Sequence, residues 1–230
     1  MKTIFLLSVG FCAYTVFGYP LLLGLLSRWR ARPIKKAPWR ATVSIILPVH
    51  NGERWIRAKL ESIQALDYPA ELVEVLVVSD GSTDTTEKIV RGFAGATRIK
   101  FLGVPKRGKA AALNEAMAHA TGEILFFTDV RQKFDPASLA NLVACFADPK
   151  VGVVSGELII CDGSGIEEES VGLYWKYEKW IRKQLSRLDS IIGASGCIYA
   201  MRRELAVTLP EGTLNDDMYL PLAAFFAAIV

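Results

Sequence analysis

No acidic residue precedes Glu53 in this 230-residue chain, and between Thr3 and Ser27 there is no charge of either sign. Cysteine is scarce too: Cys12, Cys145, Cys161 and Cys197 stand far apart, without the paired spacing of a zinc site or a redox motif. Internal repeats and low-complexity tracts are missing, which excludes solenoids and collagen-like or disordered chains. An excess of basic charge over the body is missing as well. Six of the 27 Lys and Arg residues crowd between positions 28 and 40, which leaves 21 elsewhere against 24 acids. The net charge of +3 is therefore juxtamembrane in origin and suits anionic lipid rather than nucleic acid.

The charge-free stretch has a use. Ile4-Phe-Leu-Leu7 and Leu21-Leu-Leu-Gly-Leu-Leu26 dominate it, and some twenty such residues span the ~30 Å hydrocarbon core as a helix. Residues 1–27 read as a transmembrane anchor and 28–41 as a basic linker punctuated by Pro33 and Pro38. Only Lys2 lies before the span, while Arg28, Arg30, Arg32, Lys35, Lys36 and Arg40 lie after it. The positive-inside rule then places the body in the cytoplasm, behind a single-pass anchor in the inner or plasma membrane. A cleaved export signal is the competing reading; the length of the run and the cations behind it weigh against that. Scattered thiols fit a reducing compartment.

From residue 42 onward the pattern alternates. Apolar, β-branched runs at 43–48, 72–79, 99–102, 123–128 and 151–155 predict strands. Helices are predicted over 53–65, 83–93, 109–119 and 135–146. Such alternation means an α/β domain with a mostly parallel, doubly wound sheet. A longer helix is predicted over 166–188, with Val171, Tyr174, Ile181, Leu185 and Leu188 on one face. Trp175, Tyr177 and Trp180 widen that face, and Lys176, Lys179, Arg182, Lys183 and Arg187 make the opposite side basic. It suits either a bilayer surface or a protein core.

The chemistry-bearing residues sit at strand ends, where open α/β sheets bind ligands. Pro48-Val-His-Asn51-Gly-Glu53 leaves the first strand with turn residues free to meet a base or ribose, although His50 by itself reads as structural. Asp80 ends the second strand before Gly81-Ser-Thr-Asp84, and a buried carboxylate there needs a polar partner. Lys106-Arg107-Gly108-Lys109 opens a helix with cations suited to phosphate. Asp129 ends the apolar strand 124–128 and offers an oxygen to a divalent cation. Asn215-Asp216-Asp217 supplies paired carboxylates that serve equally as a helix N-cap or as a general base.

In that order, SIILPVHNGE, VVSDGSTDTT, RGKAAALNEA, GEILFFTD and LNDD resemble glycosyltransferase family 2 over residues 42–220. The span, the Gly156-Glu-Leu158 turn and YWKYEKW are similar to its membrane-bound polysaccharide synthases, which make hyaluronan, cellulose or poly-N-acetylglucosamine. The resemblance implies a GT-A fold over 42–230, with a nucleotide-binding half at 42–157 and an acceptor half at 158–230. It implies an inverting transfer of a hexosyl or N-acetylhexosaminyl group from a nucleotide-sugar, UDP-linked, to a carbohydrate or lipid-linked hydroxyl. Pro48, His50, Asn51, Glu53, Asp80, Lys109 and Asp129 fall on the donor side, with Asp80 reading the base. Asp129 holds Mg²⁺ or Mn²⁺, Gly193, Ser195 and Gly196 meet the acceptor, and Asp217 deprotonates its hydroxyl. No nucleic-acid partner is implied.

Three departures stand out. The family's Asp-x-Asp is here Asp129-Val130-Arg131, so a cation replaces the second acid; Arg131 either leaves the metal to Asp129 or meets the diphosphate itself. Val-Asp-Asp-Gly is here Val78-Ser79-Asp80-Gly81. No Gln-x-x-Arg-Trp motif follows the LNDD block before the apolar tail Leu222–Val230, which implies an incomplete acceptor half. Two rivals follow: a nucleotide-sugar-binding remnant or subunit inactive alone, and a nucleotidyltransferase-like α/β enzyme.

Overall fold

The structure is a computed structural model that describes residues 1–95, 97–158 and 166–227, apart from the side chains of 166–171. Cys161, the end of the apolar tail and the side chain of Val171 lie outside that range. The chain packs as two compact units, one from 1–33 with 159–191 and the other from 34–158 with 192–230.

The larger unit is built on β1 (Val43–Val49), β2 (Val73–Asp80), β3 (Arg98–Val104), β4 (Ile124–Thr128), β5 (Val153–Ser155) and β6 (Ile198–Arg202). Their order is β3-β2-β1-β4-β6-β5. The first four run parallel, while β6 lies antiparallel to both β4 and β5. The expected α/β domain with a mostly parallel sheet is therefore present, with one further strand, β6, that is not among those predicted from the sequence although Ile198-Tyr-Ala-Met201 is apolar. Order reverses at β1, so the exits of β1, β2 and β4 share one edge, the usual place for a ligand crevice.

Helices cover both faces, which explains the uninterrupted apolar strands. Ile45, Leu47, Val75, Val77 and Phe126 face α2 (Ile56–Gln64) and α5 (Ser138–Val143), through Ile56, Leu60, Ile63, Leu139 and Leu142. Ile46, Leu76, Val78, Leu125 and Phe127 face α4 (Lys109–His119) and α7 (Asp216–Ala227), through Ala112, Leu113, Ala116, Leu220 and Ala224. Each fully buried Leu or Ile contributes about 1.5–3 kcal/mol of transfer free energy. Phe127 stacks on its cross-strand partner Tyr199 at 4.5 Å, which fastens β6 to the parallel half.

Helix starts are later than the sequence predicts. Residues 51–55 form a turn rather than the first turn of α2, and α3 (Thr86–Arg91) begins only at Thr86. In both places Asp84 caps the loop instead: its carboxylate accepts the Glu53 amide at 2.9 Å and the Thr86 amide at 3.0 Å.

The smaller unit pairs α1 (Lys2–Trp29, with a π turn at Tyr14–Gly18) with α6 (Ile166–Leu188). At 28 residues α1 is long and apolar enough to cross a membrane. Its Leu23 and Ser27 are buried; Ser27 donates to Gln184 Oε1 at 2.6 Å, and the Trp180 ring packs against Gly24. Tyr177 reaches the Val16 carbonyl at 3.4 Å. The contacts of α6 thus run through Tyr177, Trp180 and Gln184; the first two belong to the widened apolar face expected from the sequence, whereas Tyr174 of that face is exposed. Cys145 and Cys197 are buried free thiols, whereas Cys12 on α1 is exposed.

Candidate functional site

Three strand exits and the start of α7 make the site. At the β1 exit Pro48 still pairs with Val78 of β2, one residue before the strand ends at Val49. Asn51 then takes a positive φ of 50°, which a short polar side chain tolerates. Its amide oxygen accepts from Thr83 N at 2.9 Å, and its own N–H donates to Ser82 Oγ at 3.0 Å. Glu53 Oε2 accepts from the amide and hydroxyl of Thr85 at 3.1 and 2.8 Å. His50 Nδ1 donates to the Asp80 carbonyl at 2.7 Å. In the structure His50, Asn51 and Glu53 therefore lace the loops that follow β1 and β2 together.

Asp80 is 7% exposed, and its partner is the basic loop itself. Oδ1 accepts the Arg107 amide at 2.7 Å, and both oxygens accept that of Gly108 at 3.0–3.1 Å. Charge-assisted bonds of this kind are strong. They hold the start of α4, where Gly108 caps the helix at φ 93°. Gly81 makes the approach possible: at φ 60°, a Cβ there would lie 2.8 Å from Lys106 Cβ and 2.9 Å from its backbone nitrogen.

Lys109, so placed, lies 3.4 Å from Asp129 Oδ1 and 3.0 Å from Asp216 Oδ1. Burial works against its charge, but Asp216 and then Asp129 outweigh burial and hold its pKa above the ordinary lysine value. Asp216 and Asp217 both lie in the first turn of α7, where acids are favoured by the helix dipole. The helix-start and chemical readings of this pair are thus compatible. Asp216 is buried, whereas Asp217 is half-buried. Burial first, and the adjacent Asp216 second, push the Asp217 pKa up. Its Oδ2 sits where a Gly196 Cβ would come within 2.8 Å, and its carbonyl accepts the Ala194 amide at 2.8 Å. Ser195 donates its N–H to Ser155 Oγ at 2.9 Å. The Gly193–Gly196 turn is thereby fastened beside Asp217.

Lys109 brings Asp129 and Asp216 together, and the turn at 193–196 abuts Asp217. Asp216, which spacing offered only as one of a pair, is the carboxylate that the family resemblance left without a role. Tyr199 was missed with its strand. Its hydroxyl is fully buried, and burial, then the charges of Asp216 and Asp217, raise its pKa far above the usual phenol range.

For a cation, the described residues hold no group of three His, Cys, Asp or Glu side chains. Asp129 is 39% exposed and offers one carboxylate. Arg131, a permanent cation with no lone pair to offer a metal, has its guanidinium 5.0 Å from the Trp55 ring centroid. One carboxylate with diphosphate oxygens is a usual set for Mg²⁺-type ions, so the residues fit such an ion with the donor present.

The family model for "Glycosyl transferase family 2" matches residues 44–209. The "Probable glycosyltransferase YdaM" of Bacillus subtilis is 27% identical over 240 residues, covering 96% of this chain and 53% of that protein. The poly-beta-1,6-N-acetyl-D-glucosamine synthase of Staphylococcus epidermidis is 31% identical over 126 residues, or 54% of this chain and 30% of the synthase. The chain thus spans about half or less of the length of these curated relatives. A solved mannosyltransferase from Pyrobaculum calidifontis, PcManGT, in complex with GDP-Man and Mn²⁺, superposes with a TM-score of 0.74. It is 32% identical, over 90% of this chain and 60% of that one. Matched by the family model along most of its length and by GT-A enzymes in its sheet, the chain belongs to glycosyl transferase family 2.

Proposed function

We propose that the chain carries the catalytic domain of an inverting glycosyltransferase, which moves a sugar from a nucleotide-sugar to a hydroxyl of a carbohydrate or lipid-linked acceptor. One observation carries this reading: Lys109 draws Asp129 and Asp216 to within 3.4 and 3.0 Å at the sheet's ligand edge, with Asp217 lodged on Gly196 in the same unit. The relatives' names support transfer in polysaccharide synthesis. The donor is read as UDP-linked, and the GDP-Man bound by the archaeal neighbour makes the GDP series the comparison. A reducing-side, cytoplasmic placement behind α1 as a membrane anchor follows from the cations after the span.

Asp80, with acceptor capacity beyond its two amide donors, reads a base N–H. Lys109 binds the diphosphate, since its charge is secured by two acids that phosphate oxygens can replace one at a time. Asp129 would hold Mg²⁺ or Mn²⁺, which when bound supplies further neutralisation of the leaving diphosphate. Asp217 accepts the proton as the acceptor oxygen attacks the anomeric carbon on the face opposite the leaving group. A raised pKa suits a general base, which works best with a pKa near the working pH. The Gly193–Gly196 turn places the acceptor beside that carboxylate. Positioning and preorganised charge supply most of the rate.

The test is transfer by the membrane-reconstituted chain from radiolabelled UDP- and GDP-sugars, with and without Mn²⁺. Asp217→Asn should lower kcat about 10²–10⁴-fold and leave donor binding in place. The wild-type rate should fall on the acid side as Asp217 protonates, at a pH above the ordinary carboxylate range. Unchanged turnover in the variant removes Asp217 from the mechanism, and pyrophosphate release from a nucleoside triphosphate replaces the reading with nucleotidyl transfer.

A further inference from the structure

The buried face of α2 runs through Ile56, Leu60 and Ile63, and on that same face stands a lysine. Lys59 is 1% exposed. An ammonium set among aliphatic groups costs several kcal/mol unless its donors are satisfied. Here Nζ donates to Thr128 Oγ1 at 2.7 Å and to the Gln132 carbonyl at 2.8 Å, and it lies 3.6 Å from the Phe134 ring centroid. Burial still dominates, and it lowers the pKa to about 7 against the opposing pull of Asp129.

The partners matter more than the cost. Thr128 is the last residue of β4, directly before Asp129, and Gln132 follows Arg131. Both ends of the loop that carries the donor-side groups are therefore tied to one nitrogen. Thr128 Oγ1, having accepted from Lys59, donates onward to the Cys197 carbonyl at 3.0 Å. Cys197 adjoins Gly196, the residue on which Asp217 rests. A continuous chain of hydrogen bonds thus runs from α2 through the β4 exit to the start of β6. It joins the Asp129 loop to the turn beneath Asp217. An aliphatic side chain of similar length would fill the space and make none of these links.

We propose that Lys59 is a positioning residue that sets the spacing between the donor-side carboxylate Asp129 and the acceptor-side pair Gly196 and Asp217. It touches neither substrate and acts through Thr128 and Gln132. The role rests on the proposed transfer reaction. Fixing two reacting groups in register changes kcat more than it changes donor affinity, because the donor is bound chiefly through Asp80 and Lys109.

The experiment uses the full chain in nanodiscs, comparing wild type, Lys59→Met, Thr128→Val and the double variant. Each is measured for kcat, donor KM and Tm. Lys59→Met should lower kcat about 10- to 100-fold, with donor KM within about threefold and Tm unchanged or raised. Thr128→Val cuts the same link without disturbing the charge and should reproduce part of the loss. The double variant should lose no more than Lys59→Met alone, because both break one chain. A folded Lys59→Met protein with kcat within about twofold of wild type overturns the positioning role, as do fully multiplicative losses. If Lys59→Met does not fold, Thr128→Val decides: an undiminished kcat refutes the proposal, and a kcat loss at constant KM supports it. A wild-type protein that transfers no sugar from any donor overturns the parent reaction instead, and this role falls with it.

Discussion

The two ends of the parallel sheet treat carboxylates in opposite ways. At the end away from the crevice, Glu74 is 5% exposed, and its oxygens accept from Ser44 Oγ at 2.6 Å, from the Thr121 amide and hydroxyl at 2.7 Å each, and from Arg98 at 3.0 Å. Burial alone would raise its pKa, yet these donors outweigh it and bring the value down to about 2. At the crevice end, Asp217 has burial and a second acid for company, and its pKa moves up. The same chemical group is a fixed joint in one place and, in the proposed mechanism, a proton acceptor in the other. Donor count, rather than depth, makes the difference.

The contrast can be broken from either end. The largest effect is expected at Gly196→Ala. Its Cβ would come within 2.8 Å of Asp217 Oδ2 and displace the carboxylate, so kcat should fall about 10²-fold while the melting curve stays close to wild type. Steady-state transfer alongside calorimetry measures both.

Glu74→Gln comes next, at about 2–3 kcal/mol of stability, read by urea unfolding, with activity per folded molecule retained. It also carries a pH signature. The folded pKa lies below the ordinary value of 4.5, so the unfolded chain binds the extra proton as acid is added. The stabilisation is complete above about pH 4.5 and is lost on falling toward about pH 2; the glutamine variant should lack this component.

The smallest effect is expected at Gly81→Ala. A positive φ and close contact with the Lys106 backbone make the cost about 1–2 kcal/mol, with a raised donor KM because the loop held by Asp80 shifts. An unaltered KM would separate that loop from donor binding.

Much of the fold was legible because a strand covered on both faces must be apolar throughout. The runs ending at Val49, Asp80 and Thr128 could hardly be anything else. β6 was not legible. Its apolar run Ile198-Tyr-Ala-Met201 is too short to tell a strand from other buried structure, and only its place between β4 and β5 makes it one. Asp80, Lys109 and Asp129 were legible as strand-end and helix-start groups, since topology sends those positions to one edge. Lys59 was not, because Arg57 and Glu61 beside it make that helix turn look solvated. Asn51 and Glu53 showed their position in sequence but not their engagement with Thr83 and Thr85.

By itself the sequence determined the alternation of elements, the apolar span and the chemical kinds gathered at the crevice, because hydrophobic period and turn chemistry are local properties. Tertiary structure alone decided which acids share Lys109, which carboxylate is saturated with donors, and which lysine is buried. Those outcomes depend on groups distant along the chain meeting within hydrogen-bond reach, and no local pattern encodes that meeting.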